Sequence, residues 1–570
     1  GVALLALFVL AFLWPRDGGE SGVDAPVDSA PRIAEAPDAS AAGVPDGAPA
    51  IDADAFPRDY QAALSHLDAL ADIAVFRSLD AGKPLAVDLG PGRDNPSALT
   101  LKVYSRERPI PLSDRVPMLE NFGFSVIDER TWQISPRDGV ERFVHDMTLT
   151  PNGLEASGVL ETAPRIEAAI VAAATGVVEN DGYNRLTLYA GLGHEDAALL
   201  RALGHYLKQA GTTWSQTYIW TTLSSHASLA ALLVKLFHTL HNPALAGDGD
   251  ARAQTLRTEI IKALEAIESL DEDRILRRLL NLIDASLRTN LYQRQNDAPR
   301  DALAIKFDAG AIEGLPEPKP FREIFVYSPR VEGVHMRGGP IARGGLRWSD
   351  RPEDFRTEIL GLVKAQMVKN AVIVPVGAKG GFVPKKMPPN PDRDAFMAEG
   401  TACYKIFISA LLDVTDNLVS DTVLPPEMVF RRDGDDPYLV VAADKGTASF
   451  SDTANAISTA RDFWLGDAFA SGGSAGYDHK KMGITARGGW EAVKRHFREM
   501  DIDIQSTEFT VAGVGDMSGD VFGNGMLLSP HIRLVAAFDH RDIFIDPDPD
   551  TEKSFAERQR LFGLPRSSWQ

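Results

Sequence analysis

The densest cluster of residues able to do chemistry spans residues 337–386, RGGPIARGGLRWSDRPEDFRTEILGLVKAQMVKNAVIVPVGAKGGFVPKK. Glycine pairs at 338/339, 344/345 and 380/381 let backbone approach a ligand closely and present N–H groups to an anion. Arg337, Arg343, Arg347, Lys364, Lys369 and Lys379 stand among them. In a chain of net charge −20, this concentration of cations suits a dicarboxylate. On a polar helix face the same residues would read as a solvated basic surface. Here the lysines flank an apolar strand at residues 371–376, AVIVPV, which favours a binding site.

A second centre lies near the end of the sequence. Residues 508–514 are strand-like and run into GVGDMSGDVFGNG, in which Gly513, Gly515 and Gly519 give G-x-G-x-x-x-G, one residue longer than the usual dinucleotide fingerprint. A helix can follow, and residues 532–538, IRLVAAF, form a second strand leading to Asp539. Asp539 lies 20 residues beyond Gly519, where an acid accepts from a ribose 2′-hydroxyl and repels a 2′-phosphate. The expected cofactor is therefore NAD rather than NADP, although His540 and Arg541 adjoin the acid.

Around these centres the sequence divides into blocks. An apolar run at residues 2–14 is shorter than the ~20 residues that span a bilayer. Residues 15–55 carry nine acids against two arginines and no aromatic residue, so they are expected to be a disordered linker. Tyr60, Leu64, Leu67, Leu70 and Ile73 recur at helical spacing. Residues 98–104 and 124–134 alternate as strands around a helix at 113–122 that Gly123 ends, and 142–149 adds a strand, so residues 56–155 read as a ferredoxin-like α+β unit. Residues 156–314 read as mainly helical, with the stripe Ile275, Leu279, Ile283 and Leu287 behind the capping pair Ser269 and Glu272. Residues 315–320, LPEPKP, open an α/β region to residue 500, and a nucleotide-binding βαβ unit occupies 501–570.

Composition narrows the class. With 79 Asp and Glu against 59 Lys and Arg, the chain is no bulk-charge binder of nucleic acid. Its 44% hydrophobic and 24% charged residues match a soluble protein, with no membrane partner expected. Cys403 is the single cysteine, which excludes an intrachain disulfide and a Cys-rich zinc site and suits a reducing, cytoplasmic setting. His335, His479 and His540 stand singly without metal-ligand spacing and read as solvated or capping residues; no metal is expected. Cys403 falls in an apolar helical pattern and reads as core, and residues 485–488, TARG, read as a domain hinge.

The segment GGLRWSDRPEDFRTEILGLVKAQMVKNAVIVPVGAKGGFV, with EIFVYSPRVEGVHMRGG before it and VAADKGTASFSDTAN after it, resembles the substrate-binding core of the glutamate dehydrogenases, most closely their large bacterial NAD-specific branch. The resemblance covers roughly residues 56–570. It implies that the unit at 56–155 is ACT-like, that 315–500 is a dehydrogenase substrate domain, and that 501–570 begins a Rossmann NAD-binding domain. Matched to the family's motifs, Lys379 corresponds to the catalytic lysine and Lys369 to the lysine that holds substrate carboxylate. Arg343, with Gly344 and Gly345, stands where smaller enzymes carry a lysine before their glycine pair, and its guanidinium can fork onto a side-chain carboxylate. Asp444 corresponds to the catalytic aspartate, able to shuttle a proton between imine and amine.

The resemblance further implies L-glutamate, 2-oxoglutarate and ammonium as partners and a homo-oligomer as the assembly. A dehydrogenase for another amino acid, or a non-catalytic amino-acid-binding regulatory chain, are the alternatives. Because the sequence stops soon after the second strand of the βαβ unit, the Rossmann domain is expected to be truncated and the chain alone unable to oxidise glutamate.

Overall fold

The computed structural model describes residues 53–564 and Trp569, apart from residues 94, 246, 248, 370–375, 443–447, 475–478 and 540. The apolar start, most of the expected linker, the strand at 371–375, Asp444 and His540 therefore lie outside the described residues, as does the His479 side chain. The chain divides into two compact units, one reaching to Leu439 and one beginning at Val440, rather than at the expected limit of 500.

After a short helix at Arg58–Ala63, the larger unit continues with α1 (His66–Arg77), β1 (Leu85–Pro91), β2 (Leu99–Arg106), α2 (Leu112–Phe122), β3 (Phe124–Ile134) and β4 (Arg142–Pro151). The strands form one antiparallel sheet in the order β1-β2-β4-β3. Gly123 ends α2 in the left-handed conformation at φ 98°, as its sequence position predicts. Ser65 and Asp68 cap α1 reciprocally. Leu67 and Leu70, expected on the packed stripe, instead face solvent. The reason is polar: Asp72 is turned inward, where its carboxylate accepts hydrogen bonds from Tyr60 (2.6 Å), Lys102 (2.6 Å) and Tyr104 (2.7 Å). A buried carboxylate so fully satisfied sets the helix rotation more firmly than two leucines do.

A helical layer follows: α3 (Ala163–Ala174), α4 (His194–Gln209), α5 (Gln216–Ser225), α6 (Ala227–His241), α7 (Gly249–Leu264) and α8 (Leu270–Ala285). Ser269 caps α8, but Glu272 turns to His226 (2.9 Å) instead of back to the cap. Ile275, Leu279 and Ile283 are buried on the predicted stripe, whereas Leu287 falls past the helix end in β5 (Ser286–Thr289).

That strand and β6 (Leu303–Phe307) join β7 (Arg322–Tyr327), β8 (Val331–Arg337), β9 (Leu346–Trp348) and β10 (Ala378–Pro384) in one six-stranded sheet, ordered β9-β10-β8-β7-β6-β5. The sheet thus begins upstream of the expected boundary at 315. Among its neighbouring pairs only β9 and β10 run parallel; residues 328–330 between β7 and β8 are too few for a helical crossover. α9 (Phe355–Lys369) covers one face, with Ile359 filling the space beside Gly381. α10 (Arg393–Asp413) covers the other, with Phe407 beside Gly333. Helical layer and sheet share one core that includes Leu203, Leu233, Leu279, Phe325, Val334 and Ile359. Cys403 is buried within α10, as expected.

The second unit contains α11 (Ala448–Ala460), α12 (Ile484–Arg498), β11 (Phe509–Val514), α13 (Asp520–Gly525), β12 (Ile532–Phe538), β13 (Ile543–Ile545) and α14 (Thr551–Phe562). β11 pairs parallel to β12, and β13 antiparallel to it. Trp490, Val493 and Phe497 of α12 cover one face of this sheet. Residues 485–488, read as a hinge, are the first turns of that helix: the apolar face that packs on the sheet keeps its period through them.

Among the described residues, three histidines are buried and neutral. Burial, with a lesser contribution from Arg115, pushes His145 down to about 4. Burial, with Arg432, pushes His241 down to about 3, and burial with Arg337 does the same at His335. His335 was expected to be solvated or capping. It is instead 1% exposed, and neither ring nitrogen has a partner among the described residues, because β8 is central in its sheet and α10 covers its face. Below pH ~6.5 the unfolded chain binds three protons that the folded chain does not, so stability falls as pH drops from ~6.5 toward the folded values, by about 1.4 kcal/mol per pH unit for each histidine. Replacing His335 by Phe should remove one proton from this dependence. Thermal unfolding followed from pH 6.5 to 5 checks it, and an unchanged slope would contradict a neutral buried His335.

Candidate active site

β10 carries the predicted lysine, and its geometry depends on glycines. The main chain of residues 343–345 runs beside the start of this strand: the Ala378 N–H donates to Arg343 O (3.0 Å) and the Gly380 N–H to Gly345 O (3.2 Å). A Cβ at Gly344 would sit 1.3 Å from the Ala378 carbonyl oxygen. One at Gly377 would meet Gln366 Cγ at 2.9 Å, and one at Gly380 would meet Leu346 Cδ2 at 2.4 Å. These glycines were expected to offer bare N–H groups to an anion. Their main role is different: without side chains, two strands and a helix close to hydrogen-bonding distance.

Lys379 is half-buried, paired across the ladder with Met336, and shares with Gly381 the face of β10 that α9 covers. Arg343 has an exposed side chain, while its carbonyl accepts from Ala378 and from Gln366 Nε2 (2.8 Å). Lys369 closes α9, and its side chain is outside the described residues.

Two cations of the predicted cluster are committed elsewhere. Arg337 is buried, and its guanidinium donates to Asp436, Pro340 O (3.0 Å) and Tyr438 O (2.8 Å). Burial would raise the Asp436 carboxyl, but hydrogen bonds and charge from Arg337 and Lys306 outweigh it and hold the group at about 2. Arg347 pairs with Glu358 (2.6 Å). The cationic character of the site thus loses two of the six cations that the sequence places there.

Gln366 is the residue that sequence reasoning passed over. Its amide nitrogen holds the Arg343 carbonyl, and its Oε1 is buried without a partner among the described residues. The signal was present in the sequence: Phe355, Ile359 and Val363 form the buried stripe of α9, and Gln366 continues that stripe with a polar group.

A group of Glu179, Asp181 and His205 has metal-ligand proximity. Each is already engaged by the protein: Asp181 pairs with Arg201 (2.8 Å), Glu179 with Lys385 (2.8 Å), and His205 Nδ1 with Glu332 (2.8 Å).

In the second unit, the βαβ arrangement expected from the sequence is present. Gly515 leaves β11 at φ 137°, and a Cβ there would lie 2.9 Å from Phe522 Cβ. At Gly513 it would lie 2.5 Å from Phe522 Cε2, so both glycines let α13 close onto the strand. Gly519 differs, having room for a methyl group. The Asp516 carboxylate accepts from the Ser518 (2.9 Å) and Gly519 (3.2 Å) N–H groups, so these two donors are turned inward rather than toward a phosphate. Asp539 follows β12, and one carboxylate oxygen accepts from the N–H groups of Arg541 (2.7 Å) and Asp542 (2.8 Å), fixing the acid in a turn. The tight glycine passage and the acid at the end of the second strand fit a dinucleotide.

The Gly344 contact yields a direct expectation. Gly344→Ala should separate residues 343–345 from β10 and lower the thermal midpoint by several degrees, which differential scanning fluorimetry measures. Unchanged stability would mean the 343–345 segment can sit elsewhere.

Comparison with known proteins bears on the whole chain. The family model for the bacterial NAD-glutamate dehydrogenase catalytic domain matches residues 259–570, that for glutamate dehydrogenase helical motif 3 matches 178–243, and that for the glutamate dehydrogenase ACT3 domain matches 85–159. The NAD-specific glutamate dehydrogenase of Halomonas elongata is 54% identical over 520 residues, covering 91% of this chain and 32% of that protein. That of Mycobacterium tuberculosis is 54% identical over 532 residues, covering 90% and 32%. That of Pseudomonas aeruginosa is 53% identical over 520 residues, again covering 90% and 32%. The chain spans about a third of the length of these relatives. With the catalytic-domain match extending over more than half of its residues, the chain belongs to the bacterial NAD-glutamate dehydrogenase family.

Proposed function

We propose that this chain carries the catalytic core of an enzyme that oxidises L-glutamate with NAD to 2-oxoglutarate and ammonium. The observation that carries the reading is the closure of β10 on the 343–345 backbone and Gln366, which gathers Lys379, Arg343 and an amide oxygen with no partner among the described residues at one place.

In this reading Arg343 and Lys369 hold the substrate carboxylates, the Gly344–Gly345 backbone lets them approach, and the Gln366 amide oxygen accepts from the substrate ammonium. Bound NAD supplies a hydride acceptor; Gly513 and Gly515 give its pyrophosphate close passage, Gly519 opens the helix beside it, and Asp539 accepts from its ribose. Lys379 polarises the carbinolamine and activates water for hydrolysis of the imine, and Asp444 moves the proton between imine and amine nitrogen. The net change is glutamate, NAD⁺ and water to 2-oxoglutarate, ammonium, NADH and a proton.

Steady-state turnover of the intact enzyme on glutamate, leucine and valine tests the reading; a preference for leucine or valine would assign it to another amino acid. Lys379→Ala should lower kcat at least ~100-fold while the circular dichroism spectrum is retained. Asp444→Asn should keep glutamate binding, read by calorimetry, while turnover is lost; loss of both would make Asp444 a ligand or a structural residue. Asp539→Ser should narrow the preference for NAD over NADP, and an unchanged ratio of kcat/KM values would mean that another residue reads the ribose.

A further inference from the structure

Gln366 can hold the Arg343 carbonyl only if α9 stands at the right height and rotation. An α-helix advances 1.5 Å and turns 100° per residue, so a slip of a single residue would withdraw the amide from its 2.8 Å contact. The apolar side chains of α9, Phe355, Ile359, Leu360 and Val363, supply adhesion, but burial of apolar area is non-directional and does not by itself choose among neighbouring settings. Directional contacts are needed, and they occur in the first turn.

Arg356 is buried there, and its Nε and Nη2 donate to the two carboxylate oxygens of Glu323 at 2.8 and 2.7 Å. Glu323 is fully buried on β7, so this fork-on-fork pair joins the helix to the sheet in one orientation. The second contact comes from the helical layer. Gln209, the last residue of α4, uses both ends of its amide: Oε1 accepts from the Arg356 N–H (3.1 Å) and Nε2 donates to Pro352 O (2.9 Å). One side chain therefore satisfies a free N–H of the first helical turn and a carbonyl of the segment leading into it.

We infer that Gln209 and the Arg356–Glu323 pair are positioning residues for the candidate site, setting α9 so that Gln366 meets the 343–345 backbone beside β10. None of the three touches substrate. Gln209 lies far from Lys379 in sequence and within the stretch matched as helical motif 3, so the helical layer contributes to the geometry of substrate binding. The catalytic part of this inference rests on the proposed glutamate oxidation.

The test uses the intact enzyme and two measurements, steady-state kinetics and hydrogen–deuterium exchange of α9. Gln209→Ala should raise the KM for glutamate at least ~10-fold, a misplacement effect, leave the KM for NAD within twofold, and speed exchange across residues 359–369. Gln209→Glu keeps the acceptor for the Arg356 N–H and should recover part of both effects. Arg356→Lys keeps the charge but cannot fork onto both oxygens, and should change glutamate KM and α9 exchange in the same direction. If Gln209→Ala is insoluble, these two variants decide by the same criteria. Wild-type α9 exchange in Gln209→Ala, or equal loss of affinity for glutamate and NAD, overturns the inference. A wild-type enzyme inactive on glutamate whose α9 exchange still quickens in Gln209→Ala would refute the proposed reaction and support the positioning role.

Discussion

The contact between Gly344 and the Ala378 carbonyl is the constraint on which the site depends. A space too small for a methyl group forces residues 343–345 onto β10, which brings the Arg343 carbonyl to two donors, Ala378 N–H and Gln366 Nε2. Gly377 and Gly380 extend the same closeness to α9 and β9. Lys379 stands between two of these glycines on a strand whose ladder with β8 holds its backbone. Rigidity is obtained here from backbone hydrogen bonds.

Around that centre, buried charge sets orientation. Arg288 pairs with Asp416 (2.8 Å) and Asp433 (2.6 Å), Lys306 with Asp433 (2.6 Å) and Asp436 (2.7 Å), and Arg337 with Asp436, which ties residues 433–438 to β5, β6 and β8. Desolvating so many charges is costly, and an apolar cluster of the same volume would hold the segment as well. What ion pairs add is direction: each guanidinium donates along its own N–H vectors. The same logic recurs at Asp72 in the ACT-like unit and at Arg356–Glu323 under α9, so in each layer a buried polar group selects one setting of an element that apolar packing alone leaves free to turn.

The second unit is arranged differently. Its parallel βαβ turn is closed by Gly513 and Gly515 against Phe522, and Asp516 completes the loop from within. One sheet face is packed by helices, while Val514, Phe538, Ile543 and Ile545 remain exposed. The loop is therefore shaped by its own carboxylate before any ligand is considered, a local turn chemistry that needs no contribution from the rest of the chain.

Local signals were legible in the sequence wherever one residue type has one physical consequence. Gly123 had to end α2, alternation over residues 124–134 and 532–538 had to make strands, and glycines at 513 and 515 had to mark a tight strand-to-helix passage. The motifs at 343–345 and 379 likewise marked a family. What sequence could not decide was which charges are free. Arg337 and Arg347 look identical to Arg343 along the chain, yet Asp436 and Glu358 neutralise the first two. His335 reads as a polar residue among others, yet lies within the sheet with no partner among the described residues. Leu67 and Leu70 read as core, yet Asp72 turns them out. Periodicity and glycine act over a few residues and are written locally, whereas the pairing of a charge depends on groups brought from distant positions, and only the tertiary structure chooses them.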